Sequence, residues 1–249
     1  PTPAPLPESD LPEVSIPGSE IRQHTSANTG RDYDFYIRLP NNYDPSRAAG
    51  YPVVYLLDAQ WDFKMVESIY GCLEYDGFVP ELFIVGITYT GKDADYNALR
   101  AMDFTPLADK NFKGSGDAPK FYNFITEEVF PLIESEYRAD PARRVLMGSS
   151  FGGTFTLYAM FRDPALFMGY IATSPVIPYG SGFAIKQEIE YARTHEDLPA
   201  RLYLGVGEVN DFTQPAENFV RMLDERSYPS LSLDFRVIEG AGHSSNKPE

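Results

Sequence analysis

The chain is 249 residues long, with 43% hydrophobic and 14% aromatic residues, enough for one large packed domain and too apolar for a disordered chain. Its 36 acidic against 21 basic residues give a net charge of −15, which repels nucleic-acid phosphates and anionic bilayers and argues against both as partners. No apolar run is long enough to span a bilayer, and Cys72 is the one cysteine, so no intramolecular disulfide can form.

Residues 1–19 are rich in proline and carry no apolar period, so they read as an extended tail or linker ahead of one domain over 20–249. The start lacks Met and shows no signal peptide; a processed mature end favours an exported, periplasmic or extracellular protein over a cytoplasmic one. Asp32 to Leu39 alternates Tyr33, Phe35, Ile37 and Leu39 on one face, as a half-buried strand does. Turn chemistry from Pro40 to Pro45 stops it. Pro52 to Asp58 is a continuous apolar run, the signature of a strand buried on both faces of a parallel sheet. Cys72 lies in an apolar helical stretch and is expected to be a buried, inert thiol. Further buried strands are read at 82–87, 144–147, 168–172, 202–206 and 233–238. Between them lie helical patterns at 119–136, 153–162, 183–194 and 215–226. The segment from Gly91 to Pro119 reads as a long irregular loop, expected to wall a pocket. The alternation predicts an α/β fold, a central mostly parallel sheet with helices on both faces, whose reactive groups lie beyond the carboxyl ends of the strands.

Gly148-Ser149-Ser150-Phe151-Gly152 follows the 144–147 strand and precedes a helix. It fits G-x-S-x-G, with Ser150 at the centre of a sharp strand-to-helix turn. The following helix aims N–H groups at the serine and favours negative charge there. Ser150 is therefore the candidate nucleophile and the Phe151 N–H a candidate oxyanion donor. A serine needs an imidazole to accept its proton. Of the three histidines, His243 sits in a glycine-rich loop just after the last strand, while His24 precedes the first and His195 ends a charged helix. His243 is the candidate base. The orienting acid belongs in the loop after Val206, between nucleophile and base in chain order.

Val53 to Asp58 followed by Ala59-Gln60, the elbow, Gly207-Glu208 and Gly242-His243 together resemble the Putative esterase family of α/β hydrolases. That family includes siderophore (enterochelin) esterases, feruloyl esterases, S-formylglutathione hydrolases and mycobacterial mycolyltransferases. The resemblance covers the chain from about residue 20 to 245, and Arg100 to Pro106 is similar to a stretch of the siderophore-esterase-like branch. It implies the α/β-hydrolase fold and ester hydrolysis through an acyl-enzyme on Ser150, with the Gln60 N–H as second oxyanion donor. It also implies a final helix after His243, so this sequence reads as a truncated one. One departure stands out: the family's acid position is occupied by Asn210. Either Asp211, the favoured choice, or Glu208 takes the role, or the enzyme runs as a Ser–His pair with weaker support.

Trp61 and Phe63 are candidate pocket walls. Arg100 is a candidate for an anionic substrate group, with an Arg100–Asp103 structural pair as the alternative. Asp58 is expected to be structural. The segment from Asp93 lacks the glycine and glutamate of a calcium loop, no Cys/His cluster has zinc spacing, and no cofactor or metal is inferred. The expected substrate is a small-molecule or glycan-linked ester. Acyl transfer to an alcohol and a non-catalytic binding protein on the same fold remain the alternatives.

Overall fold

The computed structural model describes residues 15–247; most of the proline-rich segment, residues 1–14, lies outside the described residues, as do residues 248 and 249. Eight strands form one sheet in the order β1-β2-β4-β3-β5-β6-β7-β8. They are β1 Ser19–Thr25, β2 Asp32–Arg38, β3 Tyr51–Leu56, β4 Phe83–Tyr89, β5 Ala139–Ser149, β6 Gly169–Thr173, β7 Arg201–Gly207 and β8 Ser232–Ile238. The β1–β2 and β2–β4 pairs are antiparallel, and all pairs from β4 onward are parallel. This is the expected mixed sheet of an α/β-hydrolase fold. β1 was not legible in the sequence, because it is an edge strand whose residues are mostly exposed and carry no apolar alternation.

The side chains of β3 show how the sheet is buried. Tyr51, Val53, Tyr55 and Leu57 join the larger core, whereas Leu56 joins the smaller cluster with Ala59, Phe63, Tyr70 and Ile84. That alternation is the period of a strand with both faces covered. Helix α1, Ala59–Tyr75, supplies the smaller cluster. Its Phe63 is core, 4% exposed. Cys72 on the same helix is exposed, against expectation, because it lies on the face of α1 that turns away from the sheet.

The remaining helices bury residues in the larger core. They are α2 Tyr96–Phe104, α3 Ala118–Phe124, α4 Phe130–Glu136, α5 Phe151–Arg162, α6 Tyr179–Ala192 and α7 Thr213–Arg226. The stretch read as one helix over 119–136 is interrupted by a π-turn at Ile125–Val129. Pro131 lacks an N–H, and its ring would press on the carbonyl four residues back; the wider turn relieves that, with the Phe130 N–H reaching the Ile125 carbonyl instead. The supposed loop from Gly91 to Pro119 contains α2, whose start is capped by the Asp95 side chain accepting the Ala98 N–H.

Candidate active site

At the carboxyl end of β5 the chain turns into α5 through Ser150, held at φ 59° and ψ −118°. A non-glycine residue there is strained. The strain is maintained by the Ser150 N–H bond to the Thr173 carbonyl at 2.9 Å and the Thr154 N–H bond to the Ser150 carbonyl at 3.0 Å. The turn is so tight that a Cβ on Gly148 would run into the Gly152 carbonyl. Glycine is required here by close approach, as the motif predicts. The N–H of Phe151 opens α5, where a helix offers donors without intrahelical partners.

His243 follows β8 in a loop pressed against β7: the Val209 N–H bonds the Ala241 carbonyl at 2.9 Å, and a Cβ on Gly207 would overlap the carbonyl oxygens of Ala241 and Gly242. Ser150 and His243 line one cleft of about 500 Å³, with Asp109, Phe112, Phe151, Tyr179 and Phe212 among its walls. No hydrogen bond joins the two among the described residues. Phe212 packs edge-on against the imidazole at 5.2 Å. Burial lowers the His243 pKa from its ordinary value, and the Lys247 and Arg100 cations lower it further. Lys247 is held at 2.7 Å from Asp62 on α1, which keeps its charge near the ring.

Among the described residues no hydrogen bond joins Asp211 or Glu208 to His243. Asp211 is exposed, and Glu208 accepts the Gly240 N–H at 2.9 Å. The residue beside the imidazole is Asn210, with Nδ2 3.5 Å from His243 Nδ1. Its amide is tied down on both sides: Nδ2 donates to Ser174 Oγ at 3.0 Å, and Oδ1 accepts the Phe212 N–H at 3.1 Å. The turn of the loop thus brings Asn210, the position singled out in the sequence, to the imidazole. The buried Ser174, at φ 43°, is a site neighbour that no sequence signal singled out.

The other two histidines are occupied elsewhere. His24 pairs with Glu128 at 2.6 Å, and His195 stacks on Tyr191 at 4.1 Å. Gln60 lies in the first turn of α1, just after Asp58, and its side chain accepts the Thr88 hydroxyl at 2.7 Å. Trp61 is half-exposed and edge-on to Tyr96 at 6.1 Å. Arg100 does not face the cleft as a substrate ligand. It is 8% exposed, and its guanidinium grips Asp58 with bonds of 2.8 and 2.7 Å. The alternative pairing with Asp103 is also replaced, since Asp103 binds Arg31 and Tyr33. Burial opposes the Arg100 charge, yet Asp58 leaves its pKa raised. Of the Gly91–Pro119 stretch, Asp109 and Phe112 reach the cleft.

Comparison with known proteins fits this geometry. The family model described as Putative esterase matches residues 26–237. The chain belongs to the Putative esterase family. Its relatives include the ferri-bacillibactin esterase BesA of Bacillus subtilis, 33% identical over 94% of this chain and 87% of that protein. The siderophore triacetylfusarinine C esterase of Aspergillus fumigatus is 29% identical over 80% of this chain and 68% of that protein. The crystal structure of the BES protein from Bacillus cereus superposes with a TM-score of 0.84 at 26% identity, covering 98% of this chain and 95% of that one. This member of the family is a serine esterase of the α/β-hydrolase fold, and among the described residues no helix is long and apolar enough to cross a membrane.

Proposed function

We propose that this esterase cleaves siderophore esters through an acyl-enzyme on Ser150. The observation that carries the reading is the strained serine at the head of α5, sharing one aromatic-walled cleft with His243. Ser150 Oγ attacks the ester carbonyl carbon, and His243 Nε2 takes the hydroxyl proton. The oxyanion forms between the N–H groups of Phe151 and Gln60. Collapse breaks the bond to the leaving alcohol, which receives the proton from His243 and departs. Water then attacks the acyl-serine by the same steps in reverse order, releasing the acid and restoring Ser150.

The substrate class is supported by the named activities of two relatives, one acting on ferri-bacillibactin and one on triacetylfusarinine C. The cleft adds its own support: Phe112, Phe151, Tyr179 and Phe212 line it, and such rings suit flat or aromatic groups on either side of the ester. The test compares hydrolysis of ferri-bacillibactin, triacetylfusarinine C and p-nitrophenyl butyrate by the parent protein and Ser150→Ala. A kcat/KM at least about tenfold higher for one siderophore ester than for the aryl ester, lost in Ser150→Ala, is the expected result. Equal activity in the variant would remove Ser150 as nucleophile, and an inverted preference would remove the substrate class.

A further inference from the structure

We propose that Arg100 and Asp58 form a positioning clamp that fixes the two oxyanion donors, the Gln60 and Phe151 N–H groups, relative to each other; the inference rests on the reading of Ser150 as nucleophile. The two donors come from different strand ends, β3 and β5, and no covalent feature sets the distance between them. Arg100 bridges those ends. Its Nε and Nη2 bind the two carboxylate oxygens of Asp58, and the same Nη2 donates to the Ser149 carbonyl at 3.1 Å. Asp58 stands two residues before Gln60, and Ser149 two residues before Phe151, so one planar group ties down both approaches.

The geometry on the Asp58 side is demanding. Asp58 is left-handed, at φ 57°, and caps α1 through its own carbonyl, which accepts the Trp61 and Asp62 N–H groups. That leaves the Gln60 N–H without an intrahelical partner. A left-handed non-glycine residue persists only where its surroundings enforce it, and the bidentate grip of Arg100 supplies that enforcement. The carboxylate also reaches the elbow helix: a Cβ on Gly152 would stand 3.2 Å from Asp58 Oδ2. The guanidinium is enclosed by Trp61, Phe104 and Phe151, with ring centroids 5.4 to 5.8 Å away. Two of those rings belong to residues at or next to the oxyanion donors. A lysine cannot hold two carboxylate oxygens and a carbonyl in one plane.

The test removes both charges together, because a single deletion leaves a buried ion unpaired and destabilises the fold for reasons unrelated to catalysis. Parent, Asp58→Asn/Arg100→Gln, Arg100→Lys and Ser150→Ala are compared on an aryl ester and on its thiono analogue, in which sulfur replaces the carbonyl oxygen. Sulfur is a poor acceptor, so the oxo-to-thiono ratio of kcat/KM reads the oxyanion donors directly and is blind to general loss of packing. The double variant, unfolding cooperatively, is expected to lose about 100-fold in kcat with KM within about threefold. Its oxo-to-thiono ratio is expected to fall at least about tenfold, and Arg100→Lys to follow in the same direction. A folded double variant with kcat within about threefold of the parent overturns the clamp. So does a loss of kcat, in the double variant or in Arg100→Lys, that leaves the ratio unchanged. Activity retained in Ser150→Ala would instead overturn the underlying reading, and the clamp with it.

Discussion

The imidazole of His243 has the amide of Asn210 beside it, and its chemistry follows from that. With Nδ2 of Asn210 toward Nδ1, the ring is offered a donor, which favours the tautomer carrying its proton on Nε2. A base that accepts from Ser150 needs the other tautomer. Asn210→Asp would present an acceptor to Nδ1–H while still accepting from the Phe212 N–H, and the Ser174 hydroxyl, which accepts from Asn210 Nδ2 in the parent, would turn to donate. We expect it to raise kcat by about tenfold. We also expect the rising limb of kcat/KM against pH to move upward, since a carboxylate stabilises the imidazolium. In the parent that limb is expected below the ordinary histidine range, because burial and then Lys247 and Arg100 disfavour the protonated ring. Lys247→Met removes one cation and frees the Asp62 carboxylate, and both changes push the limb upward. A pH profile of the two variants beside the parent checks both signs. Motif and fold order single out Ser150 and His243 in the sequence, and the structure brings the two into one cleft. The sequence did not place the acid, because loop geometry decides whether residue 208, 210 or 211 faces the ring.

The elements that carry the site are held by close approaches and by charges that satisfy chain ends. Gly207 is the last residue of β7, and the His243 loop lies directly on it. Gly207→Ala would displace that loop by a fraction of an ångström or more, and we expect kcat/KM to fall about 100-fold in steady-state assays, with the Phe151 end of the site undisturbed. Far from the cleft, Glu128 in the π-turn gathers the β1–β2 hairpin. It pairs with His24 and accepts from the Ser26 hydroxyl, the Asn28 N–H at 2.9 Å and the Asn28 amide at 2.8 Å. Burial alone would raise its pKa, but these partners hold it down at about 2. The unfolded chain therefore binds more protons between the ordinary glutamate range and about pH 2, and the stability Glu128 contributes is lost as pH falls through that window. Glu128→Gln should cost about 2 kcal/mol at pH 7 and progressively less toward pH 3, measured by urea unfolding at both values. Neither feature was visible in the sequence. The same is true of α2, whose inner face buries Arg100 and Asp103 beside Ala101 and Phe104. Charged residues that are buried because they are paired break the apolar period by which a helix is read.

For the whole molecule, the parallel strands were legible because a sheet covered on both faces selects long apolar runs, and the chain order of those runs implied the side on which Ser150 and His243 meet. What patterning cannot convey is the field in which the substrate arrives. The net charge is −15, and Asp109 is the acidic residue in the cleft lining, which carries no lysine or arginine. An anionic ester is therefore repelled on approach, whereas a neutral one is not. At about 0.01 M ionic strength the repulsion reaches roughly 30 Å, and at 0.15 M only about 8 Å. We expect kcat/KM for a polyanionic ester to rise by roughly threefold or more across that range while p-nitrophenyl butyrate changes little. The effect should lie in kcat/KM and leave kcat constant, since screening acts on encounter and not on the bound complex. A fall with added salt for the anionic ester would mean that a local basic surface guides it, overriding the charge of the molecule as a whole.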